Sequence, residues 1–129
     1  MRDVIAVRGA TTVDSDDKCE IVSKTVELVN KLIEANGIDG KKTKCVSMLL
    51  STTKDIKSYY PATAVRESGI LSTALMSCLE PDIDGSLPLC IRVLITLLCE
   101  EGSEPKHIYL HGAKALRPDI TYENQEKVL

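Results

Sequence analysis

The chain has 129 residues, a formal net charge of −3 at pH 7 and 43% hydrophobic residues, which is typical of one domain, taken here as residues 1–129. The acidic balance, the lack of a basic block and an aromatic content of 3% argue against a nucleic-acid-binding protein. No apolar run reaches the roughly 18–20 residues of a membrane span, and Asp3 and Arg8 interrupt the segment that a signal peptide keeps apolar, so we expect a cytoplasmic protein without membrane contacts.

The first third of the chain predicts a strand followed by a long helix. Residues 2–8 are rich in Val and Ile and predict a strand that ends at Gly9. The acidic run 14–17 predicts a helix start, and Asn36-Gly37 predicts the helix end. Between them, apolar residues recur at helical spacing: Ile21, Val22, Thr25, Leu28, Val29, Leu32 and Ile33.

The middle of the chain predicts two further strands around a short helix. Residues 44–51 predict the second strand and residues 70–79 the third. Residues 55–68 predict a short helical passage that Pro61 interrupts.

The last third predicts two strands and a tail. Residues 90–99 are almost entirely apolar, which predicts a central strand covered on both faces. Residues 107–111 predict a fifth strand, and residues 119–129 predict a loose tail. Together these elements indicate an α+β fold in which one long and one short helix cover a five-stranded sheet. The other face of the sheet needs a partner, and a second copy of the chain is the economical one.

Three arginines stand within or at the end of apolar stretches, namely Arg8, Arg92 and Arg117. Arg is almost never buried without a partner, and its guanidinium matches a carboxylate or a phosphate. A distant Asp or Glu is one possible partner for each arginine, and an anionic ligand is the other. With Arg66 as a fourth arginine, the ligand interpretation gains weight.

The five cysteines form no pair with the spacing of a metal or redox motif. They stand mostly inside apolar strings, which indicates reduced, buried thiols, and the sequence predicts neither a metal site nor a cofactor.

Four segments taken together resemble one known family. They are VRGATTV, YYPATAVRE, E-x-x-x-x-GSLPLCIRVL and IYL-x-x-A-x-x-LRPD. Their order and spacing, over essentially the whole chain, resemble the AroH class of monofunctional chorismate mutases. The resemblance implies a mixed five-stranded sheet and a homotrimer that forms a pseudo-α/β barrel with active sites between subunits. It also implies the Claisen rearrangement of chorismate to prephenate, in phenylalanine and tyrosine biosynthesis, without a cofactor.

The resemblance also implies roles for individual residues. Arg8 would contact the substrate, and Arg92 would stand at the ether oxygen and a carboxylate. Tyr109 would bind a carboxylate, and Glu80 would accept the substrate hydroxyl. The remaining predicted substrate-binding positions are Tyr60, Ala62 and Arg66 on the neighbouring side and Leu116 and Arg117 near the mouth.

Two departures from the family pattern leave details open. Thr63 stands where the common pattern has Lys, so one positive charge is missing from the mouth. Cys78 lies two residues before Glu80 instead of three, which leaves either Ser77 or Cys78 facing the substrate. Strand alternation relative to the family pattern predicts that Ser77 faces the site and Cys78 the core, unless a bulge restores the original face.

The chemistry of the reaction fits these residue types. Chorismate is a dianion, so its binding requires two cationic groups. A unimolecular pericyclic reaction needs no nucleophile, proton transfer or metal. Simpler roles remain open: Glu80 as an ion-pair partner only, Tyr109 as a strand aromatic and Arg117 as a surface residue. Two rival functions also remain, a catalytically silent trimeric module that binds small anions and an isomerase or lyase for a related cyclic enol-pyruvyl acid.

Overall fold

The structure is a computed structural model that describes residues 2–119 and consists of one sheet with helices on one face. The sequence runs through β1 (Arg2–Thr12), α1 (Lys18–Asn36), β2 (Lys44–Thr52), α2 (Pro61–Ser68), β3 (Ala74–Leu79), β4 (Cys90–Glu100), β5 (Ile108–Tyr109) and a 3-10 helix (His111–Leu116). The α+β prediction is confirmed. The predicted loose tail lies, from residue 120 onward, outside the described residues.

The sheet is mixed, with strand order β3-β2-β4-β1-β5. The central strand β4 is antiparallel to both β1 and β2. The edge strands β3 and β5 are parallel to their neighbours β2 and β1. The C-terminal ends of the other four strands, β1, β2, β3 and β5, therefore lie beside the first half of β4.

The strand β1 continues past Gly9 to Thr12, so the prediction that it ends at Gly9 is wrong. A Cβ at Gly9 would lie 2.8 Å from Leu32 Cδ1 and 3.1 Å from Ile108 O. Glycine is therefore required here because α1 and β5 approach the strand closely, and it does not mark a chain turn.

The helix α1 begins and ends where local signals predict. Asp17 is its N-cap and accepts a hydrogen bond from the Glu20 backbone N–H, and Gly37 ends it in the left-handed conformation. Its apolar stripe contacts the sheet through the buried residues Ile21, Thr25, Leu28, Val29 and Leu32. The helix α2 begins at Pro61, so this proline starts the helix and does not interrupt it.

The prediction that β4 is covered on both faces is wrong within residues 2–119. Along the strand, buried Ile91, Val93 and Ile95 alternate with exposed Arg92 and Leu94. Within residues 2–119, the face under α1 and α2 is filled along its length, whereas the other face is covered only at one end, where the 3-10 helix packs with Ala10, Cys90 and Tyr109. We call the other side the open face, and its exposed residues include Val4, Arg8, Leu49, Met76, Arg92 and Leu94.

Two predicted strands are shorter than expected. The third begins at Ala74 instead of residue 70. The fifth is only Ile108–Tyr109, because His111 adopts a positive φ of 52° and starts the 3-10 helix. None of the helices in residues 2–119 is long and apolar enough to cross a membrane.

Candidate active site

One row of side chains crosses all five strands on the open face. In the register of the sheet, Arg92 stands opposite Ser51 on β2 and opposite Ala10 on β1. Ser51 in turn faces Cys78 on β3, and Ala10 faces Tyr109 on β5. Because paired residues share a face, the row brings residues from both edges of the sheet around Arg92.

Arg92 forms an ion pair with Glu80 at the centre of this row. Arg92 Nε lies 3.2 Å from Glu80 Oε1. Ser51 Oγ donates a hydrogen bond of 2.7 Å to the other carboxylate oxygen, Glu80 Oε2. The backbone N–H of Glu80 donates to Thr52 O at 2.9 Å, which fixes the residue just beyond the end of β3. The carboxylate is therefore held on both oxygens and by its own main chain.

A cavity of about 250 Å³ opens above this ion pair. Five of the predicted site residues line it, namely Arg8, Cys78, Glu80, Arg92 and Tyr109. The other lining residues are Gly9, Leu49, Ser51, Val93 and Leu94. Its charged residues are two arginines and one glutamate, so the cavity carries one positive charge in excess.

The arginines differ in whether an acidic residue neutralises them. Arg92 pairs with Glu80, and Arg117 forms two hydrogen bonds to Asp119. Within residues 2–119, neither Arg8 nor Arg66 forms an ion pair. Of these two, Arg8 lines the cavity. An uncompensated guanidinium in a concave site is the feature that an anionic ligand needs.

Tyr109 is buried at the far end of the row. It packs with Ala10, Cys90 and Ala113, and Leu116 contacts the same cluster. The backbone N–H of Leu110 donates to Ala10 O at 2.9 Å. Leu116 thus packs against the cluster that holds Tyr109. Burial raises the pKa of the neighbouring Cys90 thiol, against a smaller opposing effect of Arg92, so Cys90 stays protonated at neutral pH.

The register places Cys78, not Ser77, on the site face. Cys78 pairs with Ser51 and lines the cavity, whereas Ser77 pairs with Leu50, whose side chain is in the core. The pairing of β3 with β2 runs without a bulge from Ala74 to Leu79. The prediction that, without a bulge, Ser77 faces the site and Cys78 packs in the core is wrong, because Cys78 lies two residues before Glu80 and shares its face.

The remaining predicted residues lie away from Arg92. Tyr60 precedes α2 and lines a second cavity of about 490 Å³ with Ser77, Leu79 and Cys78, and only Cys78 of these four also lines the cavity around Arg92. Ala62 and Arg66 line a third cavity of about 440 Å³. Thr63 is in the first turn of α2, where its backbone N–H donates to Tyr60 O. One copy of the chain therefore does not bring these residues to the cavity that holds Arg8 and Arg92.

Sequence reasoning missed two residues that contact the predicted ones, Ser51 and His107. Ser51 is the polar residue at the end of the apolar run Met48–Ser51, and its hydroxyl donates a hydrogen bond to Glu80. His107 Nδ1 accepts a hydrogen bond of 2.9 Å from the Arg8 backbone N–H. Only the pairing of strands distant in sequence reveals these contacts. Among residues 2–119, no group of three or more His, Cys, Asp or Glu side chains could hold a metal ion.

Comparisons with known proteins agree on one family. The family model described as chorismate mutase type I matches residues 4–120. A curated protein from Bacillus subtilis named chorismate mutase AroH is 40% identical over 117 residues, covering 89% of this chain and 91% of that protein. Another with the same name, from Thermus thermophilus, is 37% identical and covers 91% and 96%. A solved chorismate mutase structure from Clostridium thermocellum matches with a TM-score of 0.72 and 39% identity, over 86% of this chain and 98% of that one.

Proposed function

The chain belongs to the chorismate mutase type I family and is a chorismate mutase, and we propose that the cavity around Arg92 is where it acts. It isomerises chorismate to prephenate, a step of phenylalanine and tyrosine biosynthesis. The observation that supports this location is the prearranged set of Arg92, Glu80 and Ser51 beside the unpaired Arg8.

Arg92 is the residue proposed to stabilise the transition state. As the ether bond of chorismate breaks, negative charge develops on its oxygen. Glu80 contacts Arg92 at Nε, and the terminal nitrogens of the guanidinium are the groups proposed to donate to the substrate. A preorganised donor at such a charge is worth about 2.7–4 kcal/mol. Arginine suits this role because it does not deprotonate and its N–H groups point in fixed directions.

The other residues of the cavity are proposed to hold the reactive conformer. Glu80, fixed by Arg92 and Ser51, accepts a hydrogen bond from the ring hydroxyl. Arg8 and Tyr109 bind a carboxylate, and Cys78 borders the ring from the β3 side. Holding one conformer of a flexible substrate can contribute several kcal/mol, up to about 7–11 in the best-oriented intramolecular reactions.

Charge and size suggest that a second copy of the chain completes the site. The substrate carries two negative charges, whereas the cavity carries one positive charge in excess. Its volume of about 250 Å³ is also below the roughly 300–1,000 Å³ of usual ligand sites. Arg66 and Tyr60, which lie elsewhere in the same chain, would supply a cation and an aromatic wall from a neighbour.

We propose a homotrimer on these grounds, with the open faces of the three sheets turned toward one another in a pseudo-α/β barrel. Apolar residues on this face, such as Val4 at 68% and Met76 at 65% exposure, would be buried by such contacts. Ala62, Thr63, Leu116 and Arg117 would border the mouth of the composite site, and Thr63 would leave it one positive charge weaker than the common family pattern. The kinship with bacterial biosynthetic enzymes supports a cytoplasmic location.

The activity and its site are tested together by following the loss of chorismate's ultraviolet absorbance and identifying the product. We expect prephenate from the purified protein, and its loss from a folded Arg92→Ala variant. Absence of turnover, or a product other than prephenate, would contradict the assigned reaction. Turnover that Arg92→Ala leaves intact would keep the reaction and contradict the proposed site.

A further inference from the structure

We infer that His107 is a positioning residue for Arg8: its neutral imidazole holds the backbone of Arg8 in place, so that substrate affinity falls when His107 is protonated. The inference rests on the proposed role of Arg8 as a substrate anchor.

The contact between the two residues extends a very short strand pairing. The strands β1 and β5 pair only at Gly9–Ile108 and Ala10–Tyr109. One residue earlier, the backbone N–H of Arg8 donates to His107 Nδ1 at 2.9 Å. A side chain thus takes the place of the next carbonyl in the ladder, at Arg8, which also lines the cavity.

His107 is itself held by a fixed neighbour. Asn36, at the end of α1, donates to Lys106 O at 3.0 Å and accepts from the Lys106 backbone N–H at 2.9 Å. The chain on the other side of His107 is fixed by the buried residues Ile108 and Tyr109. The imidazole therefore has little freedom to follow Arg8 if their hydrogen bond is lost.

The hydrogen bond defines the protonation state of the ring. A backbone N–H only donates, so Nδ1 is unprotonated and the neutral ring carries its proton on Nε2. Protonation of Nδ1 would turn two donors toward each other. The contact therefore exists only with neutral His107.

The surroundings of His107 favour the neutral form. Burial, followed by the charges of Arg8 and Arg117, lowers the pKa of His107 below its ordinary value of 6.5. Arg8 faces it from β1 and Arg117 from beyond the 3-10 helix, with Asp119 tied to Arg117. The neighbours of His107 along the chain include the Lys106 cation and the Tyr109 phenol. Asn36 on α1 is neutral, and in residues 2–119 no carboxylate forms an ion pair with His107.

The sign of the pH effect follows from this lowered pKa. The folded protein binds fewer protons at His107 than the unfolded chain does, so the contribution of the contact is complete above pH 6.5 and is lost as the pH falls through the folded pKa. An anchor that holds a carboxylate equally in the ground and transition states acts on KM. We therefore expect KM to rise in acid while kcat, which involves no proton transfer, stays flat.

Two substitutions separate the hydrogen bond from the bulk of the ring. His107→Asn keeps an acceptor oxygen that does not titrate, and His107→Leu keeps volume without an acceptor. At pH 8 we expect a KM near wild type for His107→Asn and about tenfold higher for His107→Leu, with kcat within twofold for both. As the pH falls from 8 through the folded pKa of His107, the KM of wild type should rise and that of His107→Asn should stay constant.

Two results would overturn the inference. One is a folded His107→Leu protein with unchanged KM, and the other is an acid rise in KM that His107→Asn retains. If His107→Leu does not fold, nitrogen-15 NMR of wild-type His107 decides, because a ring that titrates at or above pH 6.5, or carries its proton on Nδ1, contradicts the contact.

Arg8→Ala separates this inference from the proposed function. Its backbone N–H remains and burial, the largest cause of the shift, is unchanged, so the pKa of His107 should stay below its ordinary value, less strongly so without the Arg8 charge, while KM rises. Unchanged KM in Arg8→Ala would remove the proposed anchor role itself. A raised KM in Arg8→Ala, together with wild-type kinetics in His107→Leu, would reject only the role of His107.

Discussion

Arg92 Nε lies 3.2 Å from Glu80 Oε1, and the Ser51 hydroxyl holds the second oxygen of the same carboxylate at 2.7 Å. The three residues come from three different segments of the chain, β4, the end of β3 and β2. Contacts that fix a charged pair in this way limit its reorganisation during a reaction, which is the condition under which an enzyme's fixed dipoles and charges are most effective.

Replacement of Arg92 by Ala should lower kcat by about 10²–10³ or more, because the donor aimed at the ether oxygen is lost. Arg92→Lys should also be poor, since one ammonium cannot contact Glu80 and the substrate with the fixed geometry of the guanidinium. Steady-state kinetics with chorismate measures both effects.

Arg2→Ala is the matched control for this experiment. Arg2 also lies on a strand, but its guanidinium donates to the carbonyls of Lys41 and Lys42 far from the cavity. We expect its kcat and KM to match wild type. A folded Arg92→Ala protein with near wild-type kcat would contradict the role given to Arg92.

Ser51→Ala should lower kcat/KM by about tenfold, because a hydrogen bond to a charged group is lost and the Glu80 carboxylate can rotate away from Arg92. Ser47→Ala, on the same strand and the same face, should have little effect because Ser47 lies outside the cavity. Equal kinetics for the two variants would show that Ser51 does not orient Glu80.

The sequence predicted those parts of the fold that depend on local signals. The helix α1 is recognisable from its apolar period, the acidic run 14–17 that contains its cap and the terminating Gly37, all of which act within a few residues. The local sequence predicts a strand end at Gly9, which is wrong. Glycine is required there because Leu32 of α1 packs closely on the strand, and packing between distant segments leaves no local signal. Gly and Pro are ambiguous in this way: Pro61 likewise reads as an interruption until the helix that it begins is seen.

The candidate site shows the same difference between what local sequence reveals and what only the pairing of strands reveals. The resemblance identified Arg8, Glu80, Arg92 and Tyr109, which the structure brings to one cavity. It could not identify Ser51, because nothing in the run KCVSMLLS distinguishes that serine until β2 is aligned with β4. The face occupied by Cys78 also depended on the register, which spacing relative to other family members did not provide.

Cys78→Ala should raise KM or lower kcat several-fold, whereas Ser77→Ala should leave both nearly unchanged. Cys78 lines the cavity beside Glu80, and Ser77 pairs with the buried Leu50 on the other face. Kinetics of the two variants under reducing conditions checks this, with thermal unfolding as the control for stability. Impaired catalysis in Ser77→Ala alone would mean that the register assigned to β3 is wrong.

Gly9→Ala should destabilise the protein by about 1–3 kcal/mol, because the added methyl group overlaps Leu32 Cδ1. Leu32→Val shortens the side chain that it meets. In denaturant unfolding, the double variant should therefore be more stable than the sum of the two single effects predicts. Additive effects would indicate that Gly9 is required for a reason other than the approach of α1.

A mixture of Arg66→Ala and Arg92→Ala subunits tests whether the active site is shared between chains. In a single chain the two residues line different cavities, so the proposed trimer would pair Arg92 of one subunit with Arg66 of the next. Each variant alone should be nearly inactive. After random subunit exchange at equal concentrations, three quarters of the trimers contain both variants, and each of these has one fully wild-type site. About a quarter of wild-type activity should therefore return, on the symmetry argument for a closed three-subunit ring.

The experiment needs proof that subunits have exchanged, for which native mass spectrometry of differently tagged chains is suited. A mixture of Arg8→Ala and Arg92→Ala subunits is the matched control. Both residues line the same cavity of one chain, so every site takes both arginines from a single subunit and always lacks one of them. Recovery in the first mixture but not in the second would support a shared site. Verified exchange without recovery in the first mixture would contradict it, since the second cation that the dianionic substrate requires would then not come from Arg66 of a neighbour.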